Sequence, residues 1–260
     1  MDAEHARLAA LIRRQAHAHG RRRFLVAIAG IPGSGKTTAA RAVVRLLNSD
    51  SDSDTSPDAD AAASGPAVLV PMDGFHLPRA ALDRLPNREE AYVRRGAPWT
   101  FDVDRFVAFV RQLRAWADEP DTTSTTTSTS STSPSSTSLS PTLYAPTFDH
   151  EAKDPVEAGT QITAAATIVI IEGNYLLLDE PGWREIARLV DYRVLVDADP
   201  AEARHRVARR HVAAGIERSL DDAYRRVDAN DYLNGVSIRE KLIPPDVVVR
   251  SVTEGSPDGR

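Results

Sequence analysis

The octapeptide Gly30-Ile31-Pro32-Gly33-Ser34-Gly35-Lys36-Thr37 follows the unbroken apolar run Phe24-Leu25-Val26-Ala27-Ile28-Ala29, and nothing else in the chain constrains its fold as tightly. The glycines let the backbone curl until successive N–H groups point inward at an anion, and a helix starting at Lys36 adds the positive end of its dipole. Strand, loop and helix in that order form a phosphate-binding unit. Gly33, Ser34, Gly35, Lys36, Thr37 and Thr38 are therefore expected to hold a nucleoside triphosphate. Lys36 would lie on the β- and γ-phosphates, the Thr37 hydroxyl on Mg²⁺ and Thr38 near the α-phosphate. The loop alone leaves open whether the phosphoryl group goes to a small molecule or to water.

Further apolar, β-rich runs lie at residues 67–70, 167–171, 192–196 and 246–249, and helical patterns fall at 36–47, 103–116, 183–189, 201–214 and 220–228. Runs without polar alternation suit strands covered on both faces. Strand and helix in repetition predict an α/β fold around a mainly parallel sheet. Leu8, Leu11 and Ile12 put an apolar stripe on an N-terminal helix, which lacks the apolar centre of a secretory signal. Residues 48–65 and 118–141, the second a Ser/Thr run, carry almost no apolar side chains to offset the entropy of ordering them. They read as inert loop insertions. Without them about 215 residues remain, a single-domain size, so 1–260 is expected to be one domain.

The net charge of −5 gives no general attraction to nucleic acid or to an anionic membrane surface. The chain has no cysteine, which excludes disulfides and thiolate chemistry and suits a reducing, cytoplasmic setting. No apolar run reaches the roughly 18 residues of a membrane span.

Asp73 follows the run at 67–70, and Glu172 ends the run at 167–171. The carboxyl ends of parallel strands are where ligands bind in open α/β sheets, so both carboxylates are expected beside the loop that carries Lys36. A carboxylate at Asp73 can take the proton of an attacking hydroxyl. One at Glu172 supplies the oxygen that Mg²⁺ or its water needs next to Thr37. Asp102 is placed to cap the helix that starts at Val103. Arg206 and Arg210, four apart on one helical face, can answer the charge that develops on a transferring phosphoryl group.

The segments GIPGSGKTT, MDGFHLP, RRGAPWTFD and IIEGNYLLLD, in that order, resemble the phosphoribulokinase, uridine kinase and pantothenate kinase family of P-loop kinases, most nearly its uridine-kinase-like branch. The likeness runs from about residue 24 to 249 outside the two insertions. It implies a three-layer α/β/α P-loop kinase fold with a helical lid, and ATP with Mg²⁺ as cofactors. It makes Asp73 the base and puts Phe75, His76 and Arg95 at the acceptor. Trp99 stands where relatives often carry Glu. The stretch from Tyr144 to His150 is similar to an element that lines the acceptor site, which adds Tyr144, Asp149 and His150. Residues 201–214 are similar to the lid, with Arg206 and Arg210 as its arginines, and Asn230-Asp231-Tyr232-Leu233-Asn234 resembles a stretch that supports lid or nucleotide packing.

The expected activity is transfer of the γ-phosphate of ATP to a hydroxyl of a nucleoside, sugar or pantothenate-like alcohol. The expected partner is that small molecule, with neither nucleic acid nor membrane, and a homodimer is left open. The rival reading is a P-loop NTPase acting as a regulatory or chaperone-like module, with slow hydrolysis and a protein partner.

Overall fold

A computed structural model describes residues 2–49, 65–119 and 141–251. The expected insertions lie outside the described residues apart from their margins. In chain order the strands are β1 (Phe24–Ala29), β2 (Ala67–Pro71), β3 (Leu143–Asp149), β4 (Asp154–Ile162), β5 (Ile168–Gly173), β6 (Tyr192–Asp197) and β7 (Val247–Arg250). The helices are α1 (Asp2–His19), α2 (Lys36–Ser49), α3 (Arg79–Leu82), α4 (Arg88–Val93), α5 (Val103–Ala117), α6 (Ile186–Leu189), α7 (Pro200–Ala213), α8 (Leu220–Ala229) and α9 (Asp231–Glu240).

Five strands form a sheet in the order β2-β5-β1-β6-β7, with every neighbouring pair parallel. β1 and β5 are buried along their whole length. The period of two explains why both strands read as continuous apolar runs. Phe24, Val26 and Ile28 face a core with Leu8 and Ile12 of α1 and Val43 and Leu47 of α2. Leu25, Ala27 and Ala29 face a second core with Phe106, Val110 and Leu113 of α5. Sheet between two helical layers is the α/β/α arrangement expected. Each fully buried Leu, Ile or Phe in these layers is worth about 1.5–3 kcal/mol.

The helix expected at 183–189 is broken: a single 3-10 turn at Trp183–Glu185 precedes the one-turn α6. Gly182 enters that turn at φ +81. Asp102 does cap α5, accepting from Arg105 N at 3.1 Å. β3 and β4 form a separate antiparallel hairpin that the apolar pattern does not announce. Its apolar anchors are Leu143, Ala145 and Ile162, while the rest of β4 is largely exposed. No helix among the described residues is long and apolar enough to cross a membrane.

Candidate active site

Strand register assembles the site. Glu172 is paired with Pro71 of β2 on one side and Ile28 of β1 on the other. Two residues beyond each partner the chain reaches Asp73, in the 3-10 turn Met72–Phe75, and Gly30, where the phosphate loop opens. Asp73, Glu172 and the loop thus stand abreast at the carboxyl edge of three adjacent strands.

Lys36 Nζ lies 3.9 Å from Glu172 Oε1, with the two side chains 13% and 7% exposed. Burial pushes the Lys36 ammonium below its ordinary value, opposed by the charges of Glu172 and Asp73. Burial pushes Glu172 up, opposed by Lys36 and by a hydrogen bond from the Thr37 side chain. Asp73 adds its own repulsion to Glu172, so one carboxylate field reaches both groups. Thr37 and Thr38 are exposed on the first turn of α2. Ser34 is fully buried, and its amide closes a turn onto Ile31 O at 3.1 Å, so it shapes the loop.

Gly33 has φ +81, and a Cβ there would fall 2.2 Å from Ala203 O, so α7 rests directly on the loop backbone. Asp199 caps that helix, accepting from Ala201 N and Glu202 N at 2.9 and 3.0 Å. Arg206 Nη1 donates to Ser251 Oγ at 2.7 Å and to Gly33 O at 3.4 Å, while its Nε pairs with Glu202 at 3.0 Å. Arg210 is exposed and close enough for its charge to depress Lys36. Arg204 is turned to Asp228, at 2.5 Å.

A Schizosaccharomyces pombe protein named as a candidate uridine kinase is 33% identical over 230 residues, covering 88% of this chain and 84% of the relative. The chain belongs to the uridine-kinase-like P-loop kinases. An Aspergillus versicolor protein described as ATP-dependent kinase-like is 36% identical over 178 residues, covering 68% of this chain and 92% of the relative. The crystal structure of a candidate fructose transport system kinase from Silicibacter superposes with a TM-score of 0.70 at 27% identity, covering 94% of this chain and 98% of the other. No protein-family profile matches the chain.

In this P-loop kinase the remaining expected site residues divide into those drawn together and those left out. His76 Nδ1 lies 2.8 Å from Asp73 O, and its ring stacks 3.9 Å from Phe101 and 4.8 Å from Phe148. Burial holds the imidazole below its usual value, against the pull of Asp73. Arg95 lies 5.4 Å from the Phe148 ring, and His150 meets the same ring at 5.4 Å. His76, Arg95, Phe148 and His150 therefore form one wall next to Asp73.

Three expected acceptor residues stand apart from that wall. Phe75 is 1% exposed and packs against Phe106 and Phe109, so it backs the wall from the core. Tyr144 is 54% exposed and opposite Gln161, three positions before Thr147 on the hairpin, and joins none of these rings. The Asp149 carboxylate accepts from Glu151 N and Ala152 N at 2.7 and 3.0 Å; those bonds hold its pKa down and tie it to the hairpin turn.

Phe148 and Asp154, which Arg95 Nη2 reaches at 3.4 Å, are wall residues that sequence reasoning missed. An aromatic in the element at 144–150 was the available signal for Phe148; Asp154 had none. Among the described residues no three His, Asp or Glu converge on a metal site of their own. Mg²⁺ needs only one or two protein oxygens when it arrives with nucleotide phosphates, and the touching pair Thr37 and Glu172 fits that requirement. A cavity of about 230 Å³ between α7 and α9 abuts Ile31 and Pro32, and neither Lys36, Asp73 nor Glu172 lines it.

Proposed function

We propose that this kinase transfers the γ-phosphate of ATP to an alcohol hydroxyl of a small polar molecule bound between Asp73 and the wall formed by His76, Arg95, Phe148 and His150. The observation that carries the reading is the shared register row of Pro71, Glu172 and Ile28, which sets Glu172 directly beside the phosphate loop's entry and Asp73 one strand further out on the same side. Asp73 accepts the hydroxyl proton as the oxygen bonds to phosphorus, and the bond to the ADP oxygen breaks. Lys36 and the arginines of α7 answer the charge on the transferring group. Thr37 and Glu172 would hold Mg²⁺, which would supply charge neutralisation at the phosphates. Burial keeps His76 neutral near pH 7, so its ring offers stacking and one hydrogen-bonding edge without adding charge. The aromatic ring with flanking polar groups suits a flat or cyclic acceptor, such as a nucleoside or a sugar.

The test is release of ADP from Mg²⁺·ATP across a panel of nucleosides, sugars and pantothenate. Turnover that rises above the acceptor-free rate with at least one alcohol, and falls to that rate in Asp73→Asn, supports transfer. The same slow turnover with every alcohol would instead favour a hydrolysing regulatory module.

A further inference from the structure

Asn230, at the α8–α9 junction, and Asn234, one turn into α9, are only 8% and 3% exposed. Polar side chains buried to that degree must find partners, and nearly all of theirs lie on one loop distant in sequence. Asn230 Nδ2 donates to Arg95 O at 2.9 Å, and Asn234 Nδ2 donates to Gly96 O at 3.4 Å. In return Arg94 Nε donates to Asn230 Oδ1 at 3.2 Å and Arg94 Nη2 to Asn234 Oδ1 at 3.3 Å. Asn234 Nδ2 also donates to Asn230 Oδ1 at 3.2 Å, so the two amides act as one bracket. The Tyr175 hydroxyl, three residues past Glu172, supplies Gly96 O with another donor. Gly96 itself has φ +100, a conformation that leaves the loop little intrinsic preference for this shape without its partners.

The two arginines of this loop point to different places. Arg94 is held in the bracket, whereas the Arg95 side chain donates to Leu77 O at 3.2 Å, reaches Asp154 and lies over Phe148. The bracket's other end is continuous with α7, because α7, α8 and α9 pack on one another and α7 sits on Gly33. One chain of contacts thus joins the phosphate loop to the acceptor wall: Gly33, α7, α9, the two asparagines, the 94–96 backbone and Arg95.

We propose that Asn230 and Asn234 are positioning residues that fix Arg95 on the acceptor wall through the 94–96 backbone, so that the wall is aligned only while the 200–240 segment is docked on the phosphate loop. The role of the wall rests on the function proposed above; the bracket itself does not. A merely structural asparagine pair would stabilise the whole chain. Loss of a positioning pair loosens one loop and weakens the binding of one substrate.

The experiment is amide hydrogen exchange on the full chain, with and without Mg²⁺ and the non-hydrolysable analogue AMP-PNP, for wild type, Asn234→Ala and Arg94→Gln. Loss of bracket bonds is expected to speed exchange across 94–97 about tenfold or more while the β1 and β5 amides keep their rates. AMP-PNP affinity by calorimetry should stay within about twofold, and the KM of whichever panel alcohol is phosphorylated should rise about tenfold with the KM for ATP unchanged. Unchanged exchange at 94–97 in both variants overturns the proposal. So does exchange that accelerates equally in the central strands, or AMP-PNP affinity that falls as far as the loop loosens. If Asn234→Ala does not fold, Arg94→Gln decides the matter from the loop side. Failure of wild type to bind AMP-PNP would sink the kinase reading, while the exchange data would still decide the bracket.

Discussion

Replacing Gly33 by alanine tests whether the phosphate loop and α7 are built as one unit. Two penalties combine at this position. The first is conformational: φ +81 is left-handed, which costs a residue with a Cβ about 1–2 kcal/mol. The second is steric, because the new methyl would lie 2.2 Å from Ala203 O and 2.9 Å from Val207 Cγ2. A carbonyl within a helix cannot swing aside as a side-chain end can, so α7 must shift bodily, an overpacking cost of about 1–3 kcal/mol. The sum is about 2–5 kcal/mol. Gly20 supplies the control, since it has φ +72 where the chain leaves α1 and nothing within 4 Å of its would-be Cβ. Gly20→Ala carries the conformational penalty alone, about 1–2 kcal/mol. Urea denaturation of both variants measures the difference, and calorimetry with AMP-PNP measures its functional side. Gly33→Ala should lose the larger share of stability and most nucleotide affinity, whereas Gly20→Ala should bind within about twofold of wild type. Equal stability losses in the two variants, or unimpaired binding in Gly33→Ala, would refute the contact between loop and helix as the reason for this glycine.

Asp73→Asn should keep AMP-PNP affinity within about twofold and lower acceptor-dependent turnover about 10²- to 10⁴-fold, read by calorimetry and ADP release. Lys36→Ala should weaken both, since its ammonium is buried next to Glu172 at the start of the helix that follows the phosphate loop. Phe148→Ala should raise the acceptor KM, while Tyr144→Ala, 54% exposed, should leave it unchanged in the same assay. His76 binds its proton less readily folded than unfolded because it is buried. Its contribution to stability is therefore complete above about pH 6.5 and is lost as pH falls toward the lowered value. The urea midpoint of His76→Phe, which keeps the stacking on Phe101 and Phe148, should fall less than that of wild type between pH 7.5 and 5.5, and parallel declines would contradict this.

Legibility in the sequence followed how local the signal was. β1, expected at 24–29, is observed at Phe24–Ala29, because a strand buried on both faces must be apolar at every position. The expected strand at 192–196 runs one residue further, to Asp197, with buried positions alternating along it. The hairpin escaped because β4 is exposed along most of its length, carries Ala158 at φ +55 and has Gly159 packed against Thr147, so neither period nor propensity marks it. α9 escaped for a related reason: Asn234 and Gly235 are poor helix formers, and they sit where burial and bonding to the 94–96 loop override propensity.

The site divides along the same line. Lys36, Asp73 and Glu172 were readable because each ends or follows an apolar run, and a parallel sheet brings such ends to one edge whatever the loops between them do. The acceptor wall comes from 76, 95, 148 and 150, three segments whose meeting depends on a hairpin and an asparagine bracket rather than on strand register. The edge that carries Lys36, Asp73 and Glu172 is aligned by the sheet itself, without those loops. The wall has no such register, and on the proposal above the loss of one amide from the bracket displaces Arg95. A kinase built this way can keep its phosphate chemistry while its choice of acceptor drifts, and the positions that control that choice need not touch the acceptor at all.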